Sequence, residues 1–216
     1  MKMKKRIALL LRALLLLSAC GQKPRETDIL DYWREIYGEE NVIQQDGAWV
    51  YARPRADFNR EAGKYELLSE PLTIPLDPAW EAEPYTGELF SLSADTSAWK
   101  AEGTVIITLR CQAVCVFGAD YFLQYRNGDA WHTLNGAFSF PLAEYRSGPG
   151  ERVFCTLTED TLGRIRRLAF DEDKGFVVTE ESRPVPLHPG RYRLLTTVST
   201  EPAGEGGLLC VEFTLD

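Results

Sequence analysis

The sequence predicts a mostly β protein, an antiparallel β-sandwich over residues 88–216 preceded by a small α+β region over 27–70. Three observations predict it. From residue 88 onward, short alternating runs such as Thr104 to Leu109 recur with turn signals about every ten residues, the pattern of antiparallel strands. Before them stands one segment with helical spacing, Thr27 to Tyr37. Between the two, Pro71, Pro75, Pro78 and Pro84 fall within fourteen residues, too dense for a central strand or a helix interior. Residues 71–87 therefore read as a connector, with the domain division near residue 85.

Residues 1–19 carry five basic residues and no acidic one, then the apolar run Ala13 to Leu17 and the small residues Ser18 and Ala19. This is a signal peptide pattern. Ile7 to Ala19 as a helix spans about 20 Å, short of a hydrocarbon core of about 30 Å, so a permanent span is disfavoured. Leu17-Ser18-Ala19-Cys20 resembles the lipobox of bacterial lipoproteins. The resemblance implies cleavage before Cys20, a diacylglycerol on its thiol, and a mature chain anchored to the outer face of the cell membrane. Two acyl chains hold stably where one is marginal. A plain secretory signal with a chance cysteine is the alternative. Residues 20–26 then form a short polar tether.

In the next segment Ile29, Leu30, Trp33, Ile36 and Tyr37 share one face, with Asp28 as N-cap and Gly38 as C-cap. Asp46-Gly47 between Val42 to Gln45 and Ala48 to Tyr51 signals a hairpin. Residues 53–70 give no firm pattern, although Tyr65 to Leu68 and Leu72 to Leu76 have strand character. Beyond the prolines, strands are expected at Leu89 to Ser93, Thr104 to Leu109, Tyr121 to Tyr125, Trp131 to Leu134, Arg152 to Leu157, Phe176 to Thr179, Gly190 to Val198 and Leu208 to Leu215. Asn127-Gly128 marks a turn.

Phe117-Gly118, Tyr121 to Gln124, Asn127-Gly128 with Trp131, Leu187-His188-Pro189-Gly190-Arg191-Tyr192-Arg193 and the closing Val211 to Thr214 resemble a bacterial immunoglobulin-like domain common in lipoproteins of gram-positive bacteria. The match covers about residues 86–216. It departs from the family's pattern at Gln124 and by an insertion at about 164–184. The resemblance implies an Ig-like sandwich. Independently of it, the large apolar area of Trp131 reads as a core or core-edge residue.

The whole chain has 24 basic and 32 acidic residues, net −8. That is globular composition, and its acidity excludes nucleic acid as a partner. Without residues 1–19 the count is 19 against 32, or −13 over 197 residues. No polybasic patch is available to bind a membrane, so anchoring falls to the lipid.

Cys111, Cys115, Cys155 and Cys210 remain in the mature chain. Alternation points Cys111 and Cys155 inward and Cys210 outward. On one straight strand Cys111 and Cys115 would stand about 13 Å apart, too far to bridge. Cys111–Cys155 is then the favoured disulfide, closing about 45 residues and contributing about 4 kcal/mol; buried free thiols are the alternative.

His132 and His188 stand apart from each other and from a second cysteine pair, so no metal site is expected. Asp171-Glu172-Asp173-Lys174-Gly175 lacks the later bidentate Glu of a calcium loop and reads as a solvated turn. Nucleophile-elbow, zincin and phosphate-loop motifs are absent, and no cofactor is expected. The expectation is a lipid-anchored extracytoplasmic protein with a non-catalytic Ig-like interaction or spacer module. Its partners would be the membrane, through the anchor, and a protein or cell-wall glycan ligand. A carbohydrate binder would show a row of exposed aromatics; a hydrolase would bring carboxylates from distant segments together.

Overall fold

The computed structural model describes residues 27–78, 84–138, 143–163, 167–180, 183–201 and 204–216. The expected signal peptide (1–19), Cys20 and the tether (20–26) lie outside these residues, as does Trp80. The described chain is mostly β, and its sheets are antiparallel.

Helix α1 runs Ile29–Tyr37. Asp28 caps it by accepting from the Leu30 amide at 2.9 Å, and Gly38 ends it at a positive φ. Tyr32, Trp33, Ile36 and Tyr37 are buried, and Ile29 and Leu30 pack partly buried against the same core. Strands β1 (Val42–Gln45) and β2 (Ala48–Arg53) then form a hairpin. Asp46 and Gly47 both adopt positive φ, 51° and 84°, as a type I′ turn requires.

A second hairpin, β3 (Ala56–Asn59) and β4 (Lys64–Leu67), occupies the stretch that sequence left unplaced. Strand β5 (Leu72–Pro75) returns to β2, giving the order β1-β2-β5. Pro84 then meets Leu208 in an isolated bridge, with the Tyr85 amide donating to the Leu208 carbonyl at 2.8 Å.

The remaining strands make two larger sheets and two small two-stranded ones. Strand β6 (Phe90–Asp95), a one-turn helix α2 (Trp99–Glu102) and β7 (Val105–Cys111) come first. Strands β8 (Cys115–Gly118), β9 (Phe122–Asn127), β10 (Ala130–Thr133), β11 (Glu144–Ser147) and β12 (Gly150–Leu157) follow. Then come β13 (Leu162–Gly163), β14 (Leu168–Asp171), β15 (Gly175–Val178), β16 (Pro184–Val185) and the long pair β17 (Gly190–Thr200) and β18 (Gly206–Leu215).

One sheet is β12-β7-β6. In the other, β18 flanks β17, whose opposite edge pairs with β9 over Tyr192 to Leu195 and with β8 over Val198 to Thr200. Strands β8 and β9 act as one row, beyond which lie β11 and β10. Residues 119–121 leave the ladder between them, and the Thr196 hydroxyl fills the break by donating to the Asp120 carbonyl at 2.9 Å. The turn between β9 and β10 is centred on Gly128 and Asp129, one residue later than the Asn-Gly pair implied.

A single hydrophobic cluster joins the faces of both sheets to α1. Val105, Ile107 and Leu157 come from the first sheet, Leu123, Tyr125, Tyr192 and Leu194 from the second, and Tyr32, Trp33, Ile36 and Tyr37 from the helix. Pro75 lies at the end of β5, and Leu76 beside it belongs to the same core.

Buried polar groups fix the helix in place. Trp33 Nε1 donates to the Thr133 carbonyl at 2.8 Å, and the Tyr37 hydroxyl to the Leu134 carbonyl at 2.7 Å. The Tyr32 hydroxyl donates to the Pro186 carbonyl at 3.0 Å and accepts from the His188 amide at 3.2 Å. At Gly190 a Cβ would stand 2.5 Å from the Tyr125 ring, so the Pro-Gly turn needs glycine for room.

Candidate functional site

Of the residues singled out from sequence, Cys20 lies outside the described residues. Cys155 stands opposite Ile107 on β7, while Cys111 stands opposite Gly150, four positions along the same strand pair. The sulfur that meets Cys111 Sγ is that of Cys115, at 2.7 Å. The straight-strand premise does not hold there. Strand β7 ends at Cys111, the chain turns through residues 112–114, and Cys115 opens a strand of the other sheet. Cys210 is exposed, as alternation requires.

Trp131 sits on the outward face of the second sheet rather than within the core. Its ring lies under three guanidinium groups, Arg193 at 4.7 Å, Arg191 at 5.9 Å and Arg126 at 6.0 Å from the ring centroid. Cross-strand register produces this: Trp131 faces Arg126, and Arg191 and Arg193 are alternate residues of β17. Each such contact contributes about 0.5–1 kcal/mol when exposed. Beneath the layer, Arg193 Nε donates to Gln124 Oε1, and Gln124 Nε2 donates to Thr133 Oγ1 at 3.0 Å. Arg191 pairs with Glu212 at 3.0 Å and Arg126 with Asp129 at 3.7 Å. The ring is thus covered by guanidinium groups, two of them in ion pairs and the third hydrogen-bonded to Gln124. Sequence reasoning missed it because the two arginines of β17 lie 60 and 62 residues from Trp131 along the chain.

A groove of about 660 Å³ opens at the break between β8 and β9, walled by Val116, Phe117, Phe122 and Thr197 with Asp120 beside them. A second cavity, about 470 Å³, lies between Glu40, Tyr51, Arg167 and Thr179. There Arg167 pairs with both Glu40, at 3.2 Å, and Glu180, at 3.6 Å. Two carboxylates from distant segments do converge, but both are held in ion pairs by the same guanidinium.

This cavity belongs to a composite of the two regions that the resemblance left uncovered. The hairpin β14–β15 lies within the 164–184 insertion, and it docks on β3–β4. Lys64 pairs with Glu172 at 3.1 Å, the Tyr65 amide donates to the Glu172 carbonyl at 2.7 Å, and Gly175 packs on the Tyr65 ring. Asp171 folds the intervening turn by accepting from the Asp173 and Lys174 amides.

The histidines have side-chain partners. His132 Nδ1 is 2.8 Å from Asp77, and His188 Nε2 is 2.8 Å from Glu35. Among the described residues no group of three His, Cys, Asp or Glu is placed to hold a metal ion. Nor do the described tryptophans other than Trp131 form a row, because Trp33 is buried and Trp49 and Trp99 pack against the core.

Compared with models of known families and with curated proteins, the chain matches none.

Proposed function

We propose that the chain is a lipid-anchored extracytoplasmic protein in which an immunoglobulin-like sandwich serves as a non-catalytic interaction and spacer module. The strand order supports the Ig-like reading. Strands β6, β7 and β12 are arranged as A, B and E, and the other sheet runs G-F-C-C′ if β18 and β17 are G and F. The resemblance at the Pro189-Gly190 turn falls at the start of the F strand in this scheme.

The observation that carries the spacer role is the way the chain enters the sandwich. The Thr27 amide donates to the Tyr125 hydroxyl at 3.2 Å, and α1 is then locked into the core without an intervening linker. Seven residues from Cys20 reach at most about 25 Å, so the end bearing Tyr125, Pro189 and the C-terminus stays near the anchor. From Gly190 to Thr200, β17 carries the far end about 35 Å further out. The Trp131 face, on the side of this column, is the surface we assign to a partner.

Cell fractionation tests the anchor. Cys20→Ala is expected to move the protein from membranes to the soluble extracytoplasmic fraction; a variant that stays with the membrane would overturn the proposal.

A further inference from the structure

We infer that Cys111 and Cys115 form a disulfide that joins the two sheets at the end of the sandwich remote from Thr27. The two sulfur atoms are 2.7 Å apart, closer than unbonded sulfurs rest, and both residues are buried. Each is fixed by its own sheet. Cys111 pairs with Phe90 and Gly150, and Cys115 with Ser147 and Thr200. Their surroundings are a small apolar cluster of Phe90, Leu109, Val198 and Leu209, separate from the main core. The bond therefore crosses the layer gap at the centre of that cluster.

The chemistry is thiol–disulfide exchange. Each thiol gives up a proton and an electron. The two electrons and two protons reduce the disulfide of an exchange partner, a small-molecule disulfide or a disulfide oxidoreductase, to two thiols by way of a mixed disulfide. Burial, and then contact with Cys115, push the Cys111 thiol up to about 12, so the closed corner supplies almost no thiolate at neutral pH. Exchange therefore takes place while the corner is still open, and folding seals the product away from reductant. In the cell this depends on the export proposed above, because an oxidising compartment lets the bond persist.

The test separates the two. The mature chain is refolded in a mixture of reduced and oxidised glutathione, denatured without reductant, alkylated and digested with trypsin. Cleavage after Arg110 and Arg126 leaves both cysteines on peptide 111–126, and cleavage after Arg152 puts Cys155 on another. Peptide 111–126 is expected to be lighter by two hydrogens and to take no alkyl group, with Cys155 and Cys210 fully alkylated. Two alkyl groups on peptide 111–126, or its cross-linking to a peptide carrying another cysteine, would overturn the inference. No membrane is involved, so this outcome is independent of Cys20→Ala.

Discussion

Trp33→Ala tests whether the helix and the two larger sheets are one cooperative unit. Trp33 is 2% exposed, and a buried tryptophan removes about 150–250 Å² from water, about 4–6 kcal/mol at 25 cal/mol per Å². Alanine keeps a little of that, and mutational data for such truncations run to about 3–5 kcal/mol. Loss of the 2.8 Å bond from Nε1 also leaves the Thr133 carbonyl without this donor inside the core, adding about 1 kcal/mol. The expected cost is about 4–6 kcal/mol, a large share of the 5–15 kcal/mol typical of a domain. With a urea slope of about 2–3 kcal/mol/M, the midpoint should fall by about 2 M. Far-UV circular dichroism would follow the strands, and amide exchange in β17 and β18 would report on the far sheet directly. Because Trp33 contacts the β10 end, both signals should shift together. Strands that unfold at the wild-type midpoint while only the helix is lost would refute the shared core.

Two further outcomes follow from particular polar groups. Tyr32, Tyr37, Tyr121 and Tyr192 are pushed well above the ordinary tyrosine range by burial, and the Cys155 thiol is pushed up to about 12 by the same cause. Their folded values exceed the unfolded ones, so the unfolded state loses protons first as pH rises. Stability is then fully present below about pH 8 and falls above about pH 10, by about 1.4 kcal/mol per pH unit for each ionising group. A urea midpoint that stays constant from about pH 9 to pH 11 would contradict this. Asp77 holds the Thr133 amide at 3.0 Å and His132 at 2.8 Å, so Asp77→Ala should cost about 1–3 kcal/mol. Asp77→Asn retains an acceptor for the amide and should cost less; equal losses in thermal midpoint would show that this hydrogen bond does not matter.

Local chemistry was legible where it is decided locally. Asp28, the apolar spacing of α1 and Gly38 define that helix from neighbours within one turn, and Asp46-Gly47 defines its hairpin for the same reason. Alternation turned Cys210 outward, and in β18 it stands on the face opposite the buried Leu209, Phe213 and Leu215. What sequence could not supply was lateral order. Nothing in the spacing of Arg126, Arg191 and Arg193 says that β9 lies beside β17, and that adjacency alone gathers them over Trp131. The corner at Cys111 was hidden differently, since two cysteines four apart look distant until the strand between them is known to end. Hairpin β3–β4 lacked a pattern because it buries little. Phe58 and Leu67 remain more than half exposed, and its footing is the β14–β15 hairpin more than one hundred residues later. As for the expected anchor, Cys20 was readable as a motif, and its test lies in the cell.

The partners of α1 also set an order of events. Trp33 and Tyr37 bind carbonyls 100 and 97 residues later, and Tyr32 meets Pro186, His188 and Tyr192 at separations of 154, 156 and 160. A chain delivered N-terminus first presents this helix early, with its aromatic face bare, and completes the receiving surface only when the penultimate strand has arrived. Closure of such long loops is slow, and exposed apolar surface invites association in the interval. The helix thus emerges early and is among the last to settle, which makes its Tyr32, Trp33, Ile36 and Tyr37 face the part of the described chain most in need of shelter during folding.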